Sequence, residues 1–153
     1  MPTTHTSPSM GDDSEYKSAF VQEDDGALMA QIKALEDRVT PLLKQTGGNP
    51  VDALRMTLQD PPYATRTDSV KIAASDLVSK AMGQIKEDAM DGALAALSLE
   101  ECDVLMKYIY RALSAPGKDQ TQYTMLLKWH PAVLKRAGPG SIVRAFTEVQ
   151  QPL

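Results

Sequence analysis

From Ala27 onward, apolar residues recur at three- and four-residue steps, and no segment sustains the period-two alternation of a half-buried strand. Leu28, Ile32, Leu35, Val39, Leu42 and Leu43 form one stripe and predict a first helix over 28–44, which Pro41 should kink or end by removing a backbone donor and crowding the preceding turn. Gly47, Gly48 and Asn49 stop it. Asn49 followed by Pro50 supplies a cap and a first helical position for a second helix reaching about Leu58, closed by Pro61 and Pro62. A third helix is expected from about Asp68 to Lys86, with Val70, Ala73, Ala74, Leu77, Val78, Ala81 and Ile85 inward and small enough for close helix approach. A short fourth follows over about 89–97.

Ser98-Leu99-Glu100-Glu101 reads as a capping box opening a fifth helix, Leu99 to Leu113. Cys102, Leu105, Met106, Ile109, Tyr110 and Leu113 share its main face, while Val104 and Tyr108 stand almost opposite. Apolar residues on two sides place this helix centrally or under a partner. A sixth helix starts near Gln120 and ends at Gly138 as its left-handed residue, with Pro131 expected to kink it or restart it after His130. Ser141 caps a last helix from Ile142 to about Glu148. The fold class is therefore all-α: a compact bundle of about seven helices over 27–153, preceded by an extended acidic arm over 1–26.

Charge sharpens that division. The net charge is −4, yet residues 1–26 hold six carboxylates against Lys17 alone, giving −5 and leaving +1 for the rest. Val104 to Thr147 carries seven Lys or Arg against Asp119 only. Such asymmetry points to partner binding or to the arm folding back on its own body. The arm is too polar to bury a core; its apolar island of Tyr16, Phe20 and Val21 is either incidental or an anchor for a groove. One cysteine excludes an internal disulfide and fits a reducing, cytosolic compartment; no basic segment leading an apolar core stands at the N-terminus, and no run of about 20 apolar residues is present.

Catalytic candidates are few. His130 shares a face with Leu126, Leu127, Val133 and Leu134 and has no second ligand or acid at helical spacing, so it reads as a core histidine satisfied by a backbone carbonyl. Cys102 lies on an apolar face flanked by Glu100, Glu101 and Asp103, which disfavour a thiolate. Glu87/Asp88 and Glu100/Glu101 are adjacent pairs that point apart, suited to capping and solvation. Gly138-Pro139-Gly140-Ser141 lacks the lysine and preceding strand of a phosphate loop and reads as a helix-to-helix turn. The basic C-terminal third with Tyr108, Tyr110 and Trp129 leaves a nucleic-acid-binding module as the alternative function. Five of the eight aromatics fall between Tyr108 and Phe146, interleaved with Lys and Arg, a composition typical of interface anchors. Met125, Trp129 and Arg136 share a flank of the sixth helix; the flank is either open to a partner or ordinary core.

Leu105-Met106-Lys107-Tyr108-Ile109-Tyr110, Met125-Leu126-Leu127-Lys128-Trp129-His130 and Gly140-Ser141-Ile142-Val143-Arg144 resemble, in order and spacing, the smallest subunit (subunit 5) family of the actin-related protein 2/3 complex. Looser similarity runs through Leu54 to Pro62 and the arm at Phe20 to Gly26. The resemblance implies an all-helical, non-enzymatic subunit of an assembly that nucleates branched actin filaments, in the cytoplasm and actin cytoskeleton. It implies that the body docks on the WD-repeat propeller subunit and subunit 4, and that the arm tethers actin-related protein 2. Tyr16, Phe20 and Val21 are the arm's candidate contacts. Val104, Tyr108, Met125, Trp129, Arg136 and Arg144 are the body's. No catalytic residue, cofactor, metal, nucleic acid, membrane or small-molecule ligand is expected.

Overall fold

The computed structural model describes residues 25–44, 47–59, 61–62 and 68–147. Among them are seven α-helices and one 3-10 turn, with no strand: α1 (Asp25–Lys44), α2 (Pro50–Thr57), α3 (Asp68–Gly83), a 3-10 turn (Glu87–Ala89), α4 (Met90–Ala96), α5 (Leu99–Ser114), α6 (Gln120–Ala137) and α7 (Gly140–Thr147). None of the described helices is long and apolar enough to cross a membrane. The expected arm, with Tyr16, Phe20 and Val21, lies outside the described residues; Asp25 and Gly26, assigned to it, open α1.

Several helix starts are fixed by local chemistry. Asn49 accepts from the amides of Val51 and Asp52, with Pro50 at the first position where no amide is needed. Ser98 accepts from the Glu101 amide at 3.0 Å while Glu101 accepts from the Ser98 amide at 2.9 Å, closing the expected box. Asp119 and Gln122 repeat the arrangement at the start of α6. Glu101 also accepts from Gln59 at 3.1 Å and pairs with Arg55 at 3.5 Å, so one carboxylate ties the start of α5 to the end of α2.

Burial pushes the Glu101 pKa up, but the Ser98 bonds and the Arg55 guanidinium outweigh it and hold the group below its ordinary value. A carboxylate depressed in the folded state contributes stability above its unfolded pKa, and that stability is lost as pH falls through the folded one. Glu101→Gln is expected to lower the melting temperature by about 2–4 °C at pH 7, the effect of about 1 kcal/mol in a domain of this size. The gap from the parent should close as pH falls from the ordinary glutamate range through the lowered folded value, which melting curves across pH would show.

α5 forms the centre. Cys102, Leu105, Met106, Tyr108, Ile109 and Ala112 are all buried; α6 and α7 pack on it extensively, and α3 packs on it too. Trp129, Leu126 and Val133 bring α6 into the same core, with Met90, Ala93 and Leu94 of α4. α1 and α2 cover α3 through a smaller cluster of Val39, Ala53 and Leu77. The two-sided apolar pattern of α5 thus reflects a central helix: Tyr108 is 2% exposed and lines a crevice against α1–α3, while Val104 is half-buried at the core's edge.

Several local expectations are corrected. α1 continues through Pro41 to Lys44, because Leu42 and Leu43 pack against the Val39–Ala53–Leu77 cluster and hold the last turn in place. α6 likewise runs unbroken through Pro131. The donor lost there would have met the carbonyl of Leu127, on a side where both residues are exposed, while Leu126, Trp129 and Val133 anchor both halves of the helix in one core. Finally, α7 begins at Gly140, so Ser141 sits inside its first turn and its hydroxyl donates to the Gly138 carbonyl at 2.8 Å. Gly138 has the expected positive φ of 83°, but with ψ of 169° it lies outside the left-handed helical region, in one open essentially to glycine alone.

α3 stops at Gly83 instead of Lys86, tightening through i−3 bonds from Gln84 and Ile85, and Ile85 is still buried. Ala73 is only half-buried, whereas Lys71 and Ser75 are inside.

Candidate functional site

The reactive side chains are used structurally. Cys102 is fully buried; burial raises its thiol pKa, Asp103 and Glu101 add to the rise, and Arg136 opposes it. The native chain should therefore resist a colourimetric thiol reagent for many minutes and react stoichiometrically once denatured; immediate native reaction would contradict this placement. His130 is half-buried, and its Nε2 lies 2.6 Å from the Tyr110 hydroxyl, with the rings edge to face at 5.2 Å. Its polar partner is thus a phenol instead of the expected carbonyl. The Gly138–Ser141 segment is a tight turn between α6 and α7, and the space a Cβ on Gly140 would enter is taken by the Arg144 guanidinium at 2.8 Å.

The body candidates separate by burial. Trp129 is 0% exposed and its Nε1 has no hydrogen-bond partner among the described residues. Tyr108 is likewise core. Arg136 reaches across to α4, donating to the carbonyls of Leu94 at 3.2 Å and Leu97 at 3.0 Å, which caps the end of that short helix. The flank shared by Met125, Trp129 and Arg136 is therefore covered in good part by α4 and the end of α3. Met125 alone reaches an open groove of about 870 Å³, floored by Met82, Met90 and Trp129. Arg144 makes a two-point pair with Asp103, at 2.7 and 2.9 Å, that fastens α7 to α5. In these positions Tyr108, Trp129 and Arg136 act within the chain.

A different set of side chains is left outward. Leu127, Val143 and Phe146 are 59%, 58% and 64% exposed, and Ile72 is 47% exposed. Phe146 reaches the His130–Tyr110 pair directly, and the others lie on the helices around it. Phe146 packs on Tyr110 with ring centroids 4.6 Å apart, Val143 is one turn before Phe146, and Leu127 is one turn before His130. Beside them a groove of about 640 Å³ is lined by Ile72, Tyr110, Phe146 and the cations Lys107, Arg111 and Lys118. Exposed apolar side chains in contiguous array, rimmed by charge, mark an association surface. Sequence reasoning ran past Leu127, Val143 and Phe146, although Val143 and Phe146 at i, i+3 stand off the side that carries Ile142 and Ala145 inward. That offset was the available signal.

The basic third is not a phosphate-tracking stripe. Arg111 pairs with Asp68 at 3.7 Å, Lys128 with Glu87 at 3.0 Å and Arg144 with Asp103, while Arg136 serves α4 and Lys107 is 8% exposed. Its charge is spent largely on joining helices.

A helical body whose described polar groups largely serve internal joints, and which leaves Leu127, Val143 and Phe146 open, has the character of an assembly module. Residues 9–151 match the family described as "ARP2/3 complex 16 kDa subunit (p16-Arc)", and the chain belongs to that family. It is similar to actin-related protein 2/3 complex subunit 5 of Dictyostelium discoideum, at 34% identity over 90% of this chain and 95% of that protein. It is also similar to subunit 5A of Arabidopsis thaliana, at 38% identity over 84% and 94%, and to the human subunit 5-like protein, at 32% over 87% and 84%.

Proposed function

We propose that this chain is a structural subunit of an actin-related protein 2/3 complex, contributing binding free energy and geometry to an assembly that nucleates branched actin filaments. The single observation behind the placement on the body is the array of Leu127, Val143 and Phe146 around the Tyr110–His130 pair, exposed although the same helices bury their other apolar residues. In this reading the face docks against neighbouring subunits, the WD-repeat propeller subunit and subunit 4. Val104 and Met125, at the edges of the core, and the part-exposed Arg144 add further body contacts. The arm, through Tyr16, Phe20 and Val21, tethers the actin-related protein 2 subunit by raising its effective concentration.

Body and arm make separable contributions. Deleting residues 1–24 is expected to leave the melting temperature and helicity of the domain nearly unchanged, since that segment is too polar to supply much core, while weakening retention of one actin-related subunit in the purified complex. Circular dichroism and quantitative mass spectrometry of the reconstituted complex check both halves. Unfolding of the truncated chain, or retention equal to that of the full chain, would contradict the assignment.

A further inference from the structure

The first half of α1 carries an apolar stripe that is only partly covered. Leu28 is at the edge of burial, Ile32 and Leu35 are half-buried and Met29 is 41% exposed, in a helix of 20 residues that fully buries only Val39. Between this stripe and α2, α3 and α5 runs a groove of about 400 Å³, walled by Leu28, Leu35, Met56, Pro62, Leu77 and the ring of Tyr108. Arg38 is the one charged side chain among the described residues that line it, and none of the described residues pairs with it. An apolar trough with a single open cation selects an acidic segment carrying apolar anchors.

Such a segment is joined covalently to the groove's mouth. Residues 1–24 hold five carboxylates against Lys17, surround the island Tyr16, Phe20 and Val21, and end at Asp25, one turn before Leu28. Five extended residues reach about 17 Å, enough to carry Phe20 back from Asp25 as far as Leu35, which α1 places about 15 Å along its axis. We infer that the groove beneath α1 is a docking site for this chain's own N-terminal arm, with Phe20 or Tyr16 in the apolar trough and an arm carboxylate on Arg38. The occupant is favoured by tethering, because a segment held this close is present at roughly millimolar effective concentration. The same anchors are those assigned above to a neighbouring subunit, so self-docking makes arm release a step in assembly; the groove occupancy itself stands or falls independently of that tether.

Hydrogen exchange on the isolated full chain tests the occupancy. Full-length Phe20→Asp/Val21→Asp should exchange the amides of residues 28–38 about threefold to tenfold faster than the parent, with α5 amides unchanged. Arg38→Glu, on an exposed side chain, should speed the same amides, and raising salt to 0.5 M should do so in the parent. Equal exchange in parent and variants overturns the inference, as does acceleration spread over α5, or protection that rises with protein concentration and so reports another copy's arm. In the reconstituted complex, Arg38→Glu should tighten arm-dependent retention of the actin-related subunit severalfold by removing the competing site. Unchanged retention in Phe20→Asp/Val21→Asp would sink the tether alone, whereas unchanged exchange would sink the self-docking alone.

Discussion

Trp129→Ala is expected to remove a large part of the domain's stability: truncating a fully buried indole costs about 3–5 kcal/mol, against a total of about 5–15 kcal/mol for a domain. Trp129 sits where α6 meets α5, α4 and the end of α3, and the cavity it would leave is bounded by four elements that cannot all close in on it. The melting temperature should fall by about 6–20 °C, with premature loss of helicity in urea. Trp129→Phe should cost much less, about 1–2 kcal/mol, because the indole N–H has no partner among the described residues and its removal also removes an unpaired buried donor. A partner-contact Trp129 would give the reverse: both variants stable alone and defective only in assembly. Melting the isolated variants separates the two cases.

The second large effect belongs to the open face. Val143→Asp combined with Phe146→Ser should weaken incorporation into the complex by at least about 30-fold, the loss expected when central apolar anchors worth about 2 kcal/mol or more are replaced by a charge and a small polar group. The isolated domain should lose far less, since both side chains are more than half exposed and the Phe146–Tyr110 ring contact contributes only about 0.5–1.5 kcal/mol. Leu127→Asp, one turn from His130, should act in the same direction with less effect on melting. Competition of the variant with unmutated chain during reconstitution, read by mass spectrometry, gives the ratio directly. Equal incorporation would move the docking surface elsewhere, with the groove at Met125 the next to examine.

Legibility followed the range of the forces involved. Asn49, the Ser98–Glu101 box and the Gly138 break were readable because each cap is closed by groups within a few residues. Neither Pro41 nor Pro131 ends its helix, because the penalty is local, whereas the packing that holds the helix on, through Leu42 and Leu43 in one case and Trp129 and Val133 in the other, is made with distant helices. Which flank of α6 is covered is likewise a tertiary fact: nothing within residues 120–137 announces that Arg136 will meet the carbonyls of Leu94 and Leu97. The polar partner of His130, Tyr110, stands twenty residues away on another helix, beyond the reach of any spacing within α6. The family resemblance survived these errors because it rested on blocks of residues and their order, not on which faces were open.

At the centre of this account is a chain that works as one part of a larger assembly. Size-exclusion chromatography of the endogenous protein from unfractionated extract, with mass spectrometry of its fractions, measures that claim most directly. The account predicts that the chain elutes far above its own 16.6 kDa, in constant ratio with actin-related and WD-repeat subunits. Elution as a monomer free of those partners would contradict it.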